Sequence, residues 1–105
     1  MTTNEIYFNM VEKQLEQFVP VTKKDSMRQL QDDIKFLAHY MDKLTWHEFG
    51  ICYDIIKENL SYTRAIFKFD SHVKYYFKHQ LWAIKNNYKY NNSWGNEYRI
   101  HKYFF

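Results

Sequence analysis

Two glycines and one proline are all the strong backbone breakers in these 105 residues, and that scarcity does most to limit what the chain can fold into. A fold of many short strands needs a turn every few residues, usually supplied by Gly or Pro; long helices need few. The apolar residues repeat accordingly. Ile6, Tyr7, Met10, Val11, Leu15 and Phe18 recur at helical spacing ahead of Pro20, and Thr2-x-x-Glu5 offers a capping box at their start. Val21 to Lys24 read as a connector, and Ser26-x-x-Gln29 as a second capping signature. Met27, Leu30, Ile34, Leu37, Met41 and Leu44 then alternate steps of three and four. This is an a/d seam, too short for a free coiled coil and better suited to packing inside one chain than to a homodimer, which stays the second use of the seam.

Thr45-x-x-Glu48 is a third capping signature and opens the most informative stretch. On one helical wheel, Trp46, Phe49, Tyr53, Ile56, Leu60 and Phe67 share a face, and Ile51, Ile55, Tyr62, Ile66 and Phe69 adjoin it. His47, Asp54, Lys57, Glu58, Ser61 and Lys68 fill the remaining arc. A helix apolar over more than half its circumference has neighbours on two sides. Asp70-Ser71 can cap a fourth helix with Val73, Tyr76, Phe77, Leu81, Ile84 and Tyr88 inward. The pattern weakens after Asn86-Asn87, and Asn91 to Asn96 is turn-rich.

The expected architecture is an all-α, single-domain bundle over residues 1–105, built of about four helices around a long central one. The helices cover about 3–19, 26–43, 46–69 and 72–87. A tail over 88–105 forms either a small β-hairpin or an irregular aromatic segment lying on the helices.

Charge is unevenly spread along this framework. Residues 1–60 hold seven Lys/Arg against ten Asp/Glu, whereas residues 61–105 hold eight against two, together with fourteen of the 22 aromatics. On the outer side of the fourth helix, Tyr75, Lys78, His79, Trp82, Lys85, Asn86 and Lys89 fall within about 120° of arc. Trp82 projects roughly 160° from Ile84, so the two cannot enter one core. Tyr75, Lys78, His79, Trp82, Lys85 and Lys89 are therefore the expected partner-binding set, with Arg64, Lys68 and Lys74 as candidate nucleic-acid contacts. Lys can neutralise phosphates while rings stack on bases; equally, Trp and Tyr can anchor a protein interface with a charged rim. The competing view is that Trp82 and Tyr75 pack under the chain's own tail and the lysines are ordinary solvated charges.

Other chemistries find less. His47 and Cys52, or His72 and His79, do not make the four-ligand set that zinc requires. No metal or cofactor is expected, and Cys52, at the border of an apolar face, reads as a buried thiol. There is no glycine-rich phosphate loop, no Gly-x-Ser-x-Gly elbow and no His-Glu-x-x-His, so no catalytic residue is assigned. A metal-independent ribonuclease using Arg64, His72, Tyr75 and His79 would leave little trace in sequence and stays the enzymatic alternative. A helix-turn-helix would need a turn near Asn59 and a recognition helix opening at Ser61, with Tyr62, Thr63 and Arg64 at the groove; the unbroken wheel and the lack of a turn glycine oppose it.

The opening residues Met1 to Glu5 are not basic, no long apolar run follows, and no stretch reaches the ~18 apolar residues of a membrane span. With one cysteine and so no internal disulfide, a cytoplasmic setting without membrane contact is expected. Asn, Ile, Lys, Phe and Tyr total 47 residues while Gly, Ala, Arg and Pro total nine. Such AT-rich codon usage suits low-GC bacteria, their phages and mobile elements. Three functions follow: a non-enzymatic inhibitor or modulator that occludes a host protein, such as a nucleic-acid-handling or defence nuclease; a small regulator binding DNA or RNA directly; or an assembly partner completed in an oligomer. The modest net charge of +3 and the acidic front favour a host protein over nucleic acid.

Overall fold

The computed structural model describes residues 3–93, with side chains described over residues 5–89. The described residues form four α-helices and one short 3-10 turn: α1 (Thr3–Glu16), α2 (Lys23–Tyr40), the 3-10 turn (Met41–Lys43), α3 (Trp46–Ile66) and α4 (Ser71–Ser93). The protein is an all-α bundle with no strand among those residues. The capping residue Thr2 and the segment 94–105 lie outside them, and with that segment the hairpin-or-tail question for all but residues 88–93.

Helix α1 stops three residues short of the expected Val19. A tertiary contact claims the strand of chain before Pro20: the Gln29 side chain accepts from the Val19 N–H (3.2 Å) and donates to the Val19 carbonyl (2.9 Å). Gln29 is thus a clasp on the connector, and Ser26 is no cap. Helix α2 begins three residues earlier than expected because Thr22 caps it, its hydroxyl accepting from the Asp25 N–H at 3.0 Å. Ser26 sits buried in the first turn, its hydroxyl unpartnered among the described residues. The seam from Leu30 through Ile34, Leu37 and Met41 to Leu44 is buried within the chain, carried across the 3-10 turn, and serves as internal packing.

The capping box at α3 forms in full, with Thr45 Oγ1 accepting from the Glu48 N–H (3.1 Å) and the Thr45 N–H donating to Glu48 Oε1 (2.9 Å). Helix α3 then runs unbroken through Asn59, which removes the helix-turn-helix. Asn59 instead reaches across to donate to the Leu15 carbonyl at 3.2 Å, satisfying one of the orphan acceptors at the end of α1. The helix ends at Ile66, before the expected Phe69. Phe67 turns extended as its N–H donates back to the Thr63 carbonyl, and Phe69 swings into the core to stack on Phe77 (centroids 6.1 Å apart). Helix α3 has its two neighbours, α1 and α2, but the second apolar face is not covered along its whole length: Tyr62 and Ile66 stay 59% and 47% exposed.

Asp70 caps α4, its carboxylate accepting from the Val73 N–H at 2.9 Å, a bond that holds its pKa below the ordinary value. This helix outruns its expected end at residue 87 by six residues. Tertiary contacts outweigh the middling helix propensity of asparagine: Asn87 and Tyr88 are buried, and the Tyr88 hydroxyl donates to the Leu44 carbonyl at 2.7 Å. The Tyr88 ring also stacks on Phe49 (4.4 Å, 17°) and lies 5.5 Å from Trp46. Helix α4 packs on α2 and the 3-10 turn rather than along α3, a placement that creates the site described below.

One buried group is out of keeping with the core. Asp33, 5% exposed on the inner side of α2, has its pKa pushed up to about 7 by burial and then by the neighbouring Asp32 charge. Its folded-state pKa exceeds its unfolded one, so its contribution to stability is fully present below pH 4 and lost as pH rises through 7. Asp33→Asn should therefore gain stability over the parent as pH rises from 4.5 to 8 in urea titrations; parallel pH profiles would contradict the burial of a protonated carboxyl. Tyr88→Phe, which strands the Leu44 carbonyl, should lower unfolding free energy by about 1–2 kcal/mol, read in the same titrations.

Candidate functional site: a basic trough between α3 and α4

Helices α3 and α4 run antiparallel, joined by four residues. Rings link them at two places, Phe49 of α3 on Tyr88 of α4, and Phe69 of the connector on Phe77 of α4. Beside these contacts lies an open trough of about 700 Å³. A second lobe of about 560 Å³ continues it toward the connector, sharing Ser61, Arg64 and Lys74 with the first. The floor is apolar: half-buried Tyr53 from α3, with the edges of the core residues Leu60 from α3 and Leu81 from α4, 9% and 5% exposed. The walls are cationic. Lys57, Arg64 and Lys68 stand on the α3 side, and Lys74, Lys78 and Lys85 on the α4 side, with no carboxylate in the lining.

Of the residues expected to bind a partner, Tyr75, Lys78, Trp82 and Lys85 line this trough. His79 stands on its outer rim, its ring between those of Tyr75 (6.3 Å, 8°) and Trp82 (5.8 Å, 23°). Tyr75 and Trp82 are 72% and 54% exposed. Lys89 is exposed one turn past Lys85 and does not join the lining. The candidate nucleic-acid contacts Arg64, Lys68 and Lys74 belong to the same trough. Two residue sets that looked separate along the chain therefore form one site.

Sequence reasoning singled out Arg64 and Lys68 on the α3 side, as candidate nucleic-acid contacts, but missed Lys57 and Ser61 and the wall they complete. It placed Lys57, Ser61 and Lys68 on a solvated arc and did not turn that arc toward α4. The signal was present: Lys57, Ser61, Arg64 and Lys68 fall within about 60° of one another on a wheel, and a four-residue connector makes neighbouring helices antiparallel. Tyr53 was assigned to the core. It is half-buried at the trough floor with the Lys57 and Lys85 ammoniums 5.8 and 5.6 Å from its ring centroid. Burial, and then Asp54, raise its pKa, keeping the phenol protonated as a donor.

Tyr75 lines the trough. Arg64 also lines it, but His72 and His79 do not, so the four residues of the ribonuclease alternative are not assembled on one lining. Among the described residues no three His, Cys, Asp or Glu side chains gather as a metal set, and no helix there is long and apolar enough to cross a membrane. Cys52 is fully buried, and burial followed by the Glu12, Glu48 and Glu16 charges pushes its thiol up to about 12.

No protein-family model, curated protein or solved structure matches the chain.

The Cys52 environment yields a direct check. The native protein should resist a thiol reagent at pH 8 and react within minutes once unfolded in guanidinium, because the thiolate is the reacting species; rapid native labelling would place Cys52 outside the core.

Proposed function

We propose that the protein is a non-enzymatic binding protein whose α3/α4 trough and Tyr75–His79–Trp82 rim engage an acidic surface of a host protein, acting as an inhibitor or modulator that occludes it. The observation that carries this reading is the anatomy of the trough: an apolar floor of Tyr53, Leu60 and Leu81 ringed by five cations, with a sixth, Lys68, in the adjoining lobe. Protein interfaces have that arrangement, an apolar centre within a polar rim, with Trp, Tyr and Arg as the energetic anchors. A nucleic-acid-handling host protein or defence nuclease, and a phage or mobile-element origin in a low-GC bacterial cytoplasm, suit the codon usage and complete the proposal.

A second reading, direct binding of DNA or RNA, draws on one specific observation. Six cations converge with no opposing carboxylate, so the modest overall charge of +3 understates the local field. Against it, two of the rings that would stack bases, His79 and Tyr53, are already engaged. His79 lies between Tyr75 and Trp82, and Tyr53 faces two ammoniums.

Trp82→Ala separates the cases. Capture of a host protein from a low-GC bacterial lysate should be lost by about 2 kcal/mol or more of binding free energy, while the melting temperature changes by only a few degrees. A variant that melts early yet still captures the same protein would overturn the reading. Mobility shifts with single- and double-stranded oligonucleotides test the second reading, whose affinity should fall steeply with salt.

A further inference from the structure

We infer that the trough seats one face of an acidic amphipathic α-helix belonging to the partner; the inference rests on the protein-binding reading above. Three observations carry it. The first is length. Along α3 the lining runs from Tyr53 to Ala65, with Lys68 following in the connector, and along α4 from Ser71 to Lys85, so each helical wall is about 20 Å long at 1.5 Å per residue. That matches a rod of four turns, about 14 residues.

The second observation is the cross-section. The apolar strip of Tyr53, Leu60 and Leu81 is flanked on both sides by cations. A helix with apolar residues at i, i+3, i+4 and i+7 would lay that stripe on the floor. Glu or Asp on its two flanks would then meet Lys57 and Arg64 on one wall, Lys74 and Lys78 on the other. A single extended strand presents alternate side chains to opposite faces and would satisfy the floor or the walls, not floor and both walls together.

The third is charge complementarity combined with ring engagement. Each cation in the lining lacks a carboxylate opposite it within the trough, and the one ion pair given by the described residues, Asp25 with Arg28, lies elsewhere on α2. The field therefore calls for an anion. The engagement of the Tyr53 and His79 rings within the chain leaves Tyr75 and Trp82 as the exposed rings, and the apolar floor beside them favours a ligand that contributes its own apolar side chains.

The full chain can be tested against three synthetic libraries of fluorescein-labelled 14-residue peptides by fluorescence polarisation. One carries Glu on both flanks of a randomised apolar stripe at helical spacing. The second has the same composition scrambled off that spacing, and the third keeps the stripe with Lys on its flanks. A 12-nucleotide oligo(dT) is the nucleic-acid probe, and sedimentation of the chain alone reports self-association. Selected members of the first library should bind roughly tenfold or more tighter than either control. Lys57→Glu combined with Lys78→Glu, both exposed positions, should remove that advantage without shifting the melting temperature. Equal binding of scrambled peptides would overturn the inference, because charge alone would then suffice. Tighter binding of oligo(dT) than of any peptide would overturn it together with the protein-binding reading. A stable dimer that excludes peptides would assign the trough to a second copy and overturn it as well. Failure of all the peptides, with host-protein capture still lost in Trp82→Ala, would sink the helix and leave the protein-binding reading standing.

Discussion

The hydrogen bond from Tyr88 to the Leu44 carbonyl, with the stack of its ring on Phe49, is the contact on which the rest of the arrangement depends. It fastens the far end of α4 to the turn where α2 gives way to α3. Fastened there, and packed on α2 and the 3-10 turn, α4 stands away from α3 over its middle turns. The bond also explains why α4 continues through two asparagines. A buried acceptor that would cost 1–3 kcal/mol to leave unmade outweighs the few tenths separating asparagine from better helix formers.

Much of the fold was legible because several local signals agreed. The Thr45–Glu48 box, the seam from Met27 to Leu44 and the continuous wheel after Trp46 each pointed to the same helices. Errors arose where two local signals competed. Thr22-x-x-Asp25 and Ser26-x-x-Gln29 are equally good caps on paper; Thr22 prevailed because Gln29 was engaged with Val19 and the buried position suited a small Ser26 side chain. The ends of α3 and α4 were set by long-range contacts of Phe69 and Tyr88, which no window of periodicity contains.

The site was half legible. Helical geometry alone forces Trp82, Tyr75 and Lys78 outward, and there they stand, exposed. The other wall could not be read from one helix at a time, since Lys57 and Arg64 on a solvated arc look the same whether or not a second basic helix faces them. Only the pairing of α3 with α4 converts two ordinary stripes into a field of one sign. Placing so many like charges together costs stability through mutual repulsion. Over the apolar floor that repulsion is eased by the two ammonium–ring contacts at Tyr53.

The ring contacts beside the trough, Phe49 with Tyr88 and Phe69 with Phe77, are made by residues of the core, and so are the floor leucines Leu60 and Leu81. The cations on the walls are exposed. The floor thus belongs to fold and candidate site alike, while a substitution among the wall cations falls outside the core. A lineage carrying this chain could retune which partner it holds, one surface residue after another, while the bundle beneath continued to fold as before. On the host-directed reading proposed above, that division of labour would be an adaptive resource.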